Sequence, residues 1–272
     1  MSLKQVTNLL FILCISLGLS LFLSNYSYGQ DSDDQLYLIF EFMEVDNEQE
    51  TAYAETEEFW SKVHQERVNA GEIVGWDLWS LRPGGENQGA QYLTVTLFND
   101  PVQMMQPMNW MEHFSNAYPD MSDEELSAEL ERGAASRDLA YRYYIQQVAY
   151  TDSDYEMGIG TIAQLDLMKV KFDSVTSYGD YENTEIEVFM PIHQEMVDNG
   201  EKESWSLVRV MNPIGNDTFF SHMTISFFQD WEQYYSSGMS ANSLSEQLMV
   251  QQGLETRTME WVYLATLIDM VR

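Results

Sequence analysis

The stretch HQERVNAGEIVGW that begins at His64 returns as HQEMVDNGEKESW at His193. A chain that repeats a pattern folds each copy by the same local rules and must then find a common core for the two products. His64, Gln65, Glu66, Val68, Gly71, Glu72, Trp76 and Leu78 match His193, Gln194, Glu195, Val197, Gly200, Glu201, Trp205 and Leu207 at a constant offset of 129. Flanking segments match as well, with small changes of offset where loops differ. Met43–Val45 answers Met168–Val170, while Thr94, Phe98 and Asp100 answer Thr224, Phe228 and Asp230. MSDEELSAEL from Met121 answers MSANSLSEQL from Met239, and Ser136-Arg137 followed by Tyr143 answers Thr256-Arg257 followed by Tyr263. The copies run from about residue 36 to 149 and from 162 to 271, with a linker over 150–161.

Each copy spells the same elements in the same order. LYLIFEFMEV alternates and is rich in strand formers, which predicts a first strand. Residues 53–70 form a helical pattern whose apolar arc carries Trp60, Val63 and Val68, with Phe189, Ile192, Met196 and Val197 in the second copy. Gly71 and Gly200 then fall where a helix end takes a left-handed residue. Strands follow near 76–81 and 92–98, joined through the turn chemistry of Arg82-Pro83-Gly84-Gly85. An acidic helical region and a last strand over 141–148 close the unit. Strand, helix, strand, strand, helix, strand is the split βαβ or ferredoxin-like order. Its helices cover one face of a four-stranded antiparallel sheet, so the bare face needs a cover, and the second copy supplies one. The expected fold class is therefore α+β: two tandem ferredoxin-like βαββαβ repeats whose antiparallel sheets face each other as an intrachain α+β barrel, helices outside.

With this order of elements and the motif W/F-x-x-V/I-H-Q-E…G…W at Trp60 and Phe189, the chain resembles the dimeric α+β-barrel superfamily. It looks like a tandem version in which one chain supplies both halves, and is similar to exported bacteroidete proteins of unknown function that carry the same HQE helix. The resemblance implies a range rather than one activity. The superfamily holds cofactor-independent monooxygenases, haem-degrading enzymes, chlorite-dismutase-like haem proteins, lyases and members with no known activity, and fold alone does not choose among them.

Residues 1–29 read as a signal peptide. Lys4 precedes an apolar run from Leu9 to Leu23, and Ser27-Tyr28-Gly29 places small residues at the cleavage positions, predicting a mature start at Gln30. The run is shorter than the roughly 20 residues that span a bilayer. Cys14, the one cysteine, lies inside it behind Leu13, where a lipoprotein signal needs a small residue. Cleavage leaves no thiol, which excludes disulfides, cysteine nucleophiles and cysteine-ligated metals. The expected location is periplasmic or extracellular, without membrane insertion after cleavage. Against 44 acidic residues stand 13 Lys and Arg, a net charge of -31. A field of that sign repels nucleic acid and anionic lipid and reads as a solvating coat. The expected partner is a small molecule.

His64 and His193 fall one helical turn after Trp60 and Phe189, in the arc that faces the sheet. An imidazole there either lines a pocket between helix and sheet as base or ligand anchor, or is packed and hydrogen-bonded; its presence in both copies favours packing. A second constellation comes from alternation. Glu41 and Asp166 match inside apolar first strands, Tyr92 and His222 open the third strands, and Thr94 and Thr224 follow on the same face. If that face is a cavity, Asp166 and His222 are expected to orient each other as an acid/base pair with the carboxylate pKa raised; otherwise they form a polar rim. Trp76 and Trp205 anchor helix to sheet or offer an aromatic wall. Arg137 and Arg257 clamp a carboxylate or cap the acidic helix before them. Neither HQE helix has a second His at ligand spacing, so no metal is expected.

The leading expectation places catalysis at His193, His222 and Asp166, with Glu41, His64, Trp76, Tyr92, Glu195 and Trp205 binding ligand. Cofactor-independent proton transfer on a small apolar or aromatic compound is the expected chemistry. One alternative is a non-catalytic scaffold that presents acidic helices to a partner. Another is a haem protein, with His193 as axial ligand or with His113 beside Trp110, Met104, Met105, Met108 and Met111. An open cavity beside only one of the repeated histidines marks a site; packing around both marks a scaffold. Phosphate loops, G-x-S-x-G and dinucleotide fingerprints are absent from the sequence.

Overall fold

A computed structural model describes residues 35–46, 48–85, 89–170, 177–238 and 243–272. The signal-peptide expectation for residues 1–29, Cys14 included, lies outside the described residues. The first half runs β1 Tyr37–Glu44, α1 Glu50–Asn69, β2 Gly75–Arg82, β3 Tyr92–Phe98, α2 Pro101–Met104, α3 Trp110–Ala117, α4 Asp123–Ser136 and β4 Asp138–Tyr150. The second half runs β5 Ile162–Val170, α5 Tyr178–Thr184, a π-helical turn Glu185–Phe189, α6 Met190–Asp198, β6 Ser204–Asn212, β7 His222–Phe228, α7 Trp231–Ser236, α8 Leu244–Leu254 and β8 Arg257–Val271.

The eight strands close a barrel in the order β1-β3-β2-β8-β5-β7-β6-β4. Within each half the strands pair as the ferredoxin-like unit requires, and all pairs are antiparallel. Two further ladders join the halves, β2 to β8 through pairs such as Trp76↔Val271, and β4 to β6 through pairs such as Ile145↔Val210. The halves therefore meet edge to edge as well as face to face, which leaves no strand edge unpaired in the ring.

Alternation along the strands sorts side chains to two destinations. Leu38, Phe40, Leu93, Val95, Ile145, Leu165, Leu167, Met223 and Leu267 turn inward and pack on one another as the barrel core. Trp76 and Leu78, and in the second half Met168, Trp205 and Leu207, turn outward and take the helices. Asp166, Thr224 and His222 share the parity of this outward set. The space that concerns function is thus the layer between helix and sheet.

Both first helices end as their glycines predict, with Gly71 and Gly200 each at φ 72°. Serine capping boxes open α4 (Ser122 with Glu125) and α5 (Ser177 with Asp180). Two departures break the symmetry of the halves. Tyr181 and Glu185 stand 128 residues after Tyr53 and Glu57, whereas Phe189 and His193 stand 129 after Trp60 and His64. The extra residue is absorbed by the π turn just before Pro191, whose missing N–H already interrupts the helical ladder. Secondly, the pairs Asp100/Asp230 and Met121/Met239 leave the second half twelve residues shorter between them, and α3 lies in the extra stretch of the first. No described helix is long and apolar enough to cross a membrane.

Candidate functional site

In the first half, the space beside the repeated histidine is filled. His64 is buried, its ring stacked on Trp76 with centroids 4.9 Å apart and planes 15° from parallel. Its Nδ1 lies 2.9 Å from Arg67 Nη1, and the Arg67 guanidinium sits 5.1 Å from the Trp110 ring delivered by α3. Burial, reinforced by Arg67, holds the His64 pKa well below the usual imidazole range. This is the packed histidine of the two readings. Glu41 is tied down by Arg142, whose Nε donates at 2.7 Å. Tyr92 packs its ring on Tyr53 at 4.5 Å, and burial pushes its phenol up. A cleft of about 350 Å³ remains, bounded by Trp60, Trp110, Arg137 and Arg142.

The corresponding place in the second half is open. A cavity of about 480 Å³ lies between the π turn and α6 on one side and β5, β7 and β8 on the other, with α7 and the end of α8 at its edge. Asp166, His193, Lys202, Thr224, Glu185 and Arg257 supply its polar lining, and Met168, Phe189, Met196 and Phe228 much of the apolar remainder. His193 stacks on the buried Trp205 at 4.8 Å and 21°, repeating the first half. The cation beside it differs. Where the first half places Arg67 the second has Met196, and where it has the buried Ile73 the second has Lys202.

Lys202 Nζ lies 3.2 Å from His193 Nδ1 and donates to Ser226 Oγ at 2.9 Å. Two of its three N–H groups are so engaged among the described residues, which leaves one for a ligand. Burial pushes the ammonium pKa down to about 8, against the pull of Asp166 and Glu201. Burial also holds the His193 pKa well below its usual range, with Lys202 adding to the effect. Asp166 accepts from Gln164 Nε2 at 2.8 Å and from Thr224 Oγ1 at 3.3 Å. Desolvation raises its pKa in spite of these bonds.

Asp166 and His222 do not form the expected acid/base pair. On the β5/β7 ladder Asp166 stands opposite Thr224, and His222 opposite Met168. Over that second position α5 brings Glu182, whose Oε1 lies 3.0 Å from His222 Nε2. Ser221 Oγ stands 3.1 Å from Nδ1, and the rings of Tyr178 and Tyr181 meet the imidazole edge-on at 4.8 Å each. His222 is fully buried in a cluster of its own and does not line the cavity. Glu195 is also corrected: it is exposed on α6 and faces away from the lining. Trp205 supports His193 from beneath rather than forming the wall.

Arg137 and Arg257 serve both roles read from the sequence. Arg257 Nη1 donates to Gly253 O near the end of α8 at 2.6 Å while Nη2 meets Glu185 Oε1 at 3.0 Å. Arg137 Nη1 donates to Gly133 O at 3.4 Å and its Nε lies 3.4 Å from Glu57 Oε1. Desolvation outweighs these cations, and both Glu57 and Glu185 are pushed up to about 7. Lys202 and Glu182 escaped the sequence reading. The signal for Lys202 was available, a lysine standing at a position that is apolar in the other copy.

No protein-family model matches the sequence, and no curated protein does. Solved structures do. A candidate monooxygenase from Fusobacterium nucleatum superposes with a TM-score of 0.51 at 14% identity, covering 88% of this chain and 94% of its own. The chain shares the α+β-barrel fold of this structure. A mutant chlorite dismutase from Candidatus Nitrospira defluvii matches with a TM-score of 0.51 at 10% identity, over 86% of this chain and 92% of that one. A haem-binding protein from Thermus thermophilus follows at 0.48 and 9% identity, over 86% and 91%. At these identities the α+β barrel is what is shared. The expectation of no cofactor is not upheld, since a chlorite dismutase is among the structures that share the fold.

The histidines present nevertheless fail to offer haem an axial ligand in this arrangement. A metal-bound imidazole donates its second N–H to a carboxylate, carbonyl or water, whereas His193 Nδ1 faces the Lys202 ammonium, which makes it an acceptor and leaves the proton on Nε2. His113 is buried with Nε2 2.8 Å from Glu72 Oε2 and lines none of the cavities described above. Among the described residues no group of three or more His, Cys, Asp or Glu side chains is placed to hold a metal ion.

Proposed function

We propose that the second half binds a small, largely apolar or aromatic molecule that carries one acidic oxygen, and that the site moves a proton to or from it. The observation that carries this reading is the asymmetry of the halves. The same helix and sheet enclose Trp110 and Arg67 in the first and a cavity with Lys202 in the second. A space open beside one histidine and filled beside the other counts against a pure scaffold.

In this reading the free N–H of Lys202 meets the oxygen and stabilises negative charge as it develops. Asp166, desolvated and raised in pKa, takes or returns the proton. His193 is a positioning residue, fixing Lys202 from Trp205. Phe189, Met196 and Phe228 enclose the apolar body of the ligand. Monooxygenase chemistry, named for one neighbour of the fold, is compatible with a site that first generates an anion. Export belongs to the same proposal; protein recovered from the secreted or periplasmic fraction is expected to begin at Gln30, and an intact Met1 there would refute it.

The test is a titration of the full chain with phenol, benzoate and 2-hydroxyacetophenone, followed by tryptophan fluorescence and by the unfolding temperature. Lys202→Met is expected to weaken binding of the responding probe by about 10- to 100-fold, the effect of losing a charge-assisted hydrogen bond. Undiminished affinity in a folded Lys202→Met protein rules the reading out.

A further inference from the structure

A second cavity lies inside the barrel, separate from the helix–sheet layer, with a volume of about 140 Å³. An eight-stranded barrel has an interior that side chains just fill, or that holds one small ligand. Here the two ends of the interior differ. Phe42, Tyr143, Phe220 and Tyr263 fill one end, with Phe42 6.0 Å from both Tyr143 and Tyr263 and Tyr143 4.5 Å from Phe220. None of the four lines the cavity at the other end, whose walls include Leu38, Phe40, Trp79, Ala163, Leu165 and Val208.

The repeat explains where the space comes from. Ala163 occupies in β5 the position that Leu38 occupies in β1, and Val208 occupies in β6 the position of Trp79 in β2. Both substitutions remove volume from the same wall, and no neighbour restores it. Interiors are otherwise close-packed, and a void of this size is costly to leave empty. Met157 of the linker packs over the mouth together with Leu36, Leu97 and Phe227. An unbranched thioether in a connecting segment can move aside without disturbing a strand. Polar groups stand at the rim and are already engaged, Asp77 with Arg272 at 2.7 Å and Gln147 with Ser206 at 3.4 Å.

We propose that the barrel interior is a binding site for a neutral apolar molecule of about the size of benzene, admitted past Met157 and distinct from the Lys202 site. An apolar protein cavity of about 150 Å³ stays dry and accepts benzene or xenon, so size and lining both fit. The engaged rim groups offer nothing to a charged ligand, which restricts the class to neutral aromatic or short aliphatic compounds.

Benzene and xenon are the probes. Saturating benzene is expected to raise the unfolding temperature of the full chain by about 2 °C or more, and xenon-pressurised crystals are expected to show a peak between Ala163, Leu165 and Val208. Ala163→Leu restores the residue of the other copy and fills the space; it is expected to abolish the benzene shift and the xenon peak. Val208→Leu narrows the same space from β6 and replaces it should Ala163→Leu not fold. Lys202→Met is expected to keep the benzene response. The proposal is overturned if wild-type protein shows neither shift nor peak, if a folded filling variant keeps the full response, or if Lys202→Met removes it.

Discussion

Lys202 is the residue on which the candidate site turns, and burial gives it a measurable signature. Its ammonium is pushed down to about 8 from 10.5. An anionic ligand is therefore expected to bind with constant affinity below pH 8 and progressively less tightly above it, a profile absent in Lys202→Met. Stability carries the matching sign. Between pH 8 and 10.5 the unfolded chain binds more protons at this position than the folded one, so this lysine makes stability rise with pH across that window. The buried carboxylates act the other way. Glu57 and Glu185 are pushed up from 4.5 to about 7, so the folded chain holds more protons between those values. Their contribution is complete below pH 4.5 and is lost as pH rises through 7. Glu57→Gln with Glu185→Gln, each mimicking the protonated acid, is expected to flatten the decline in stability between pH 5 and 7.5 measured by urea unfolding. An unchanged slope would show that both carboxylates are ionised throughout.

At the scale of elements, α3 distinguishes the half whose cleft excludes His64 from the half whose cavity reaches His193. Its Trp110 reaches the Arg67 guanidinium and meets Trp60 edge-on at 5.3 Å. Trp110→Ala is expected to cost about 2 kcal/mol, less than a fully buried tryptophan because this one is half-buried. It is also expected to open the first-half cleft, so that added indole raises the unfolding temperature of the variant and not that of wild type. Indole stabilising both equally would locate it elsewhere. Element order was legible in the sequence because period-2 alternation, glycine stops and turn residues are local signals, and a repeat doubles each of them. That Asp166 and Thr224 share one face followed from parity alone, while the direction of that face came from the closed barrel. The partner of His222 did not, because α5 crosses above β7 at a place that no spacing within β5 or β7 records. The π turn and α3 did leave traces, as a shift of offset from 128 to 129 and as the twelve surplus residues. Those traces say that the halves differ and leave open which histidine is enclosed, since that depends on where Trp110 lands.

For the whole molecule, the closed ring raises the question of what each half supplies that a second copy of the other could not. The answer offered by the core is complementary volume. The first half brings Leu38 and Trp79 to the interior, and the second brings Ala163 and Val208 to the equivalent places. A homodimer of first halves would set two tryptophans and two leucines where the chain has one of each, which would fill the interior and remove the cavity. A homodimer of second halves would enlarge the void instead. Neither half is expected to survive as a monomer, because each would expose the apolar inner face together with the edge strands β2 and β4, or β6 and β8, that join the halves. Residues 35–150 and 151–272 expressed together are therefore expected to purify as a one-to-one complex with the unfolding cooperativity of the full chain. Each expressed alone is expected to aggregate or to give a less stable dimer, with sedimentation velocity distinguishing the species. A stable, monodisperse monomer of either half would mean that its inner face does not need the other, and the volume argument would fall with it.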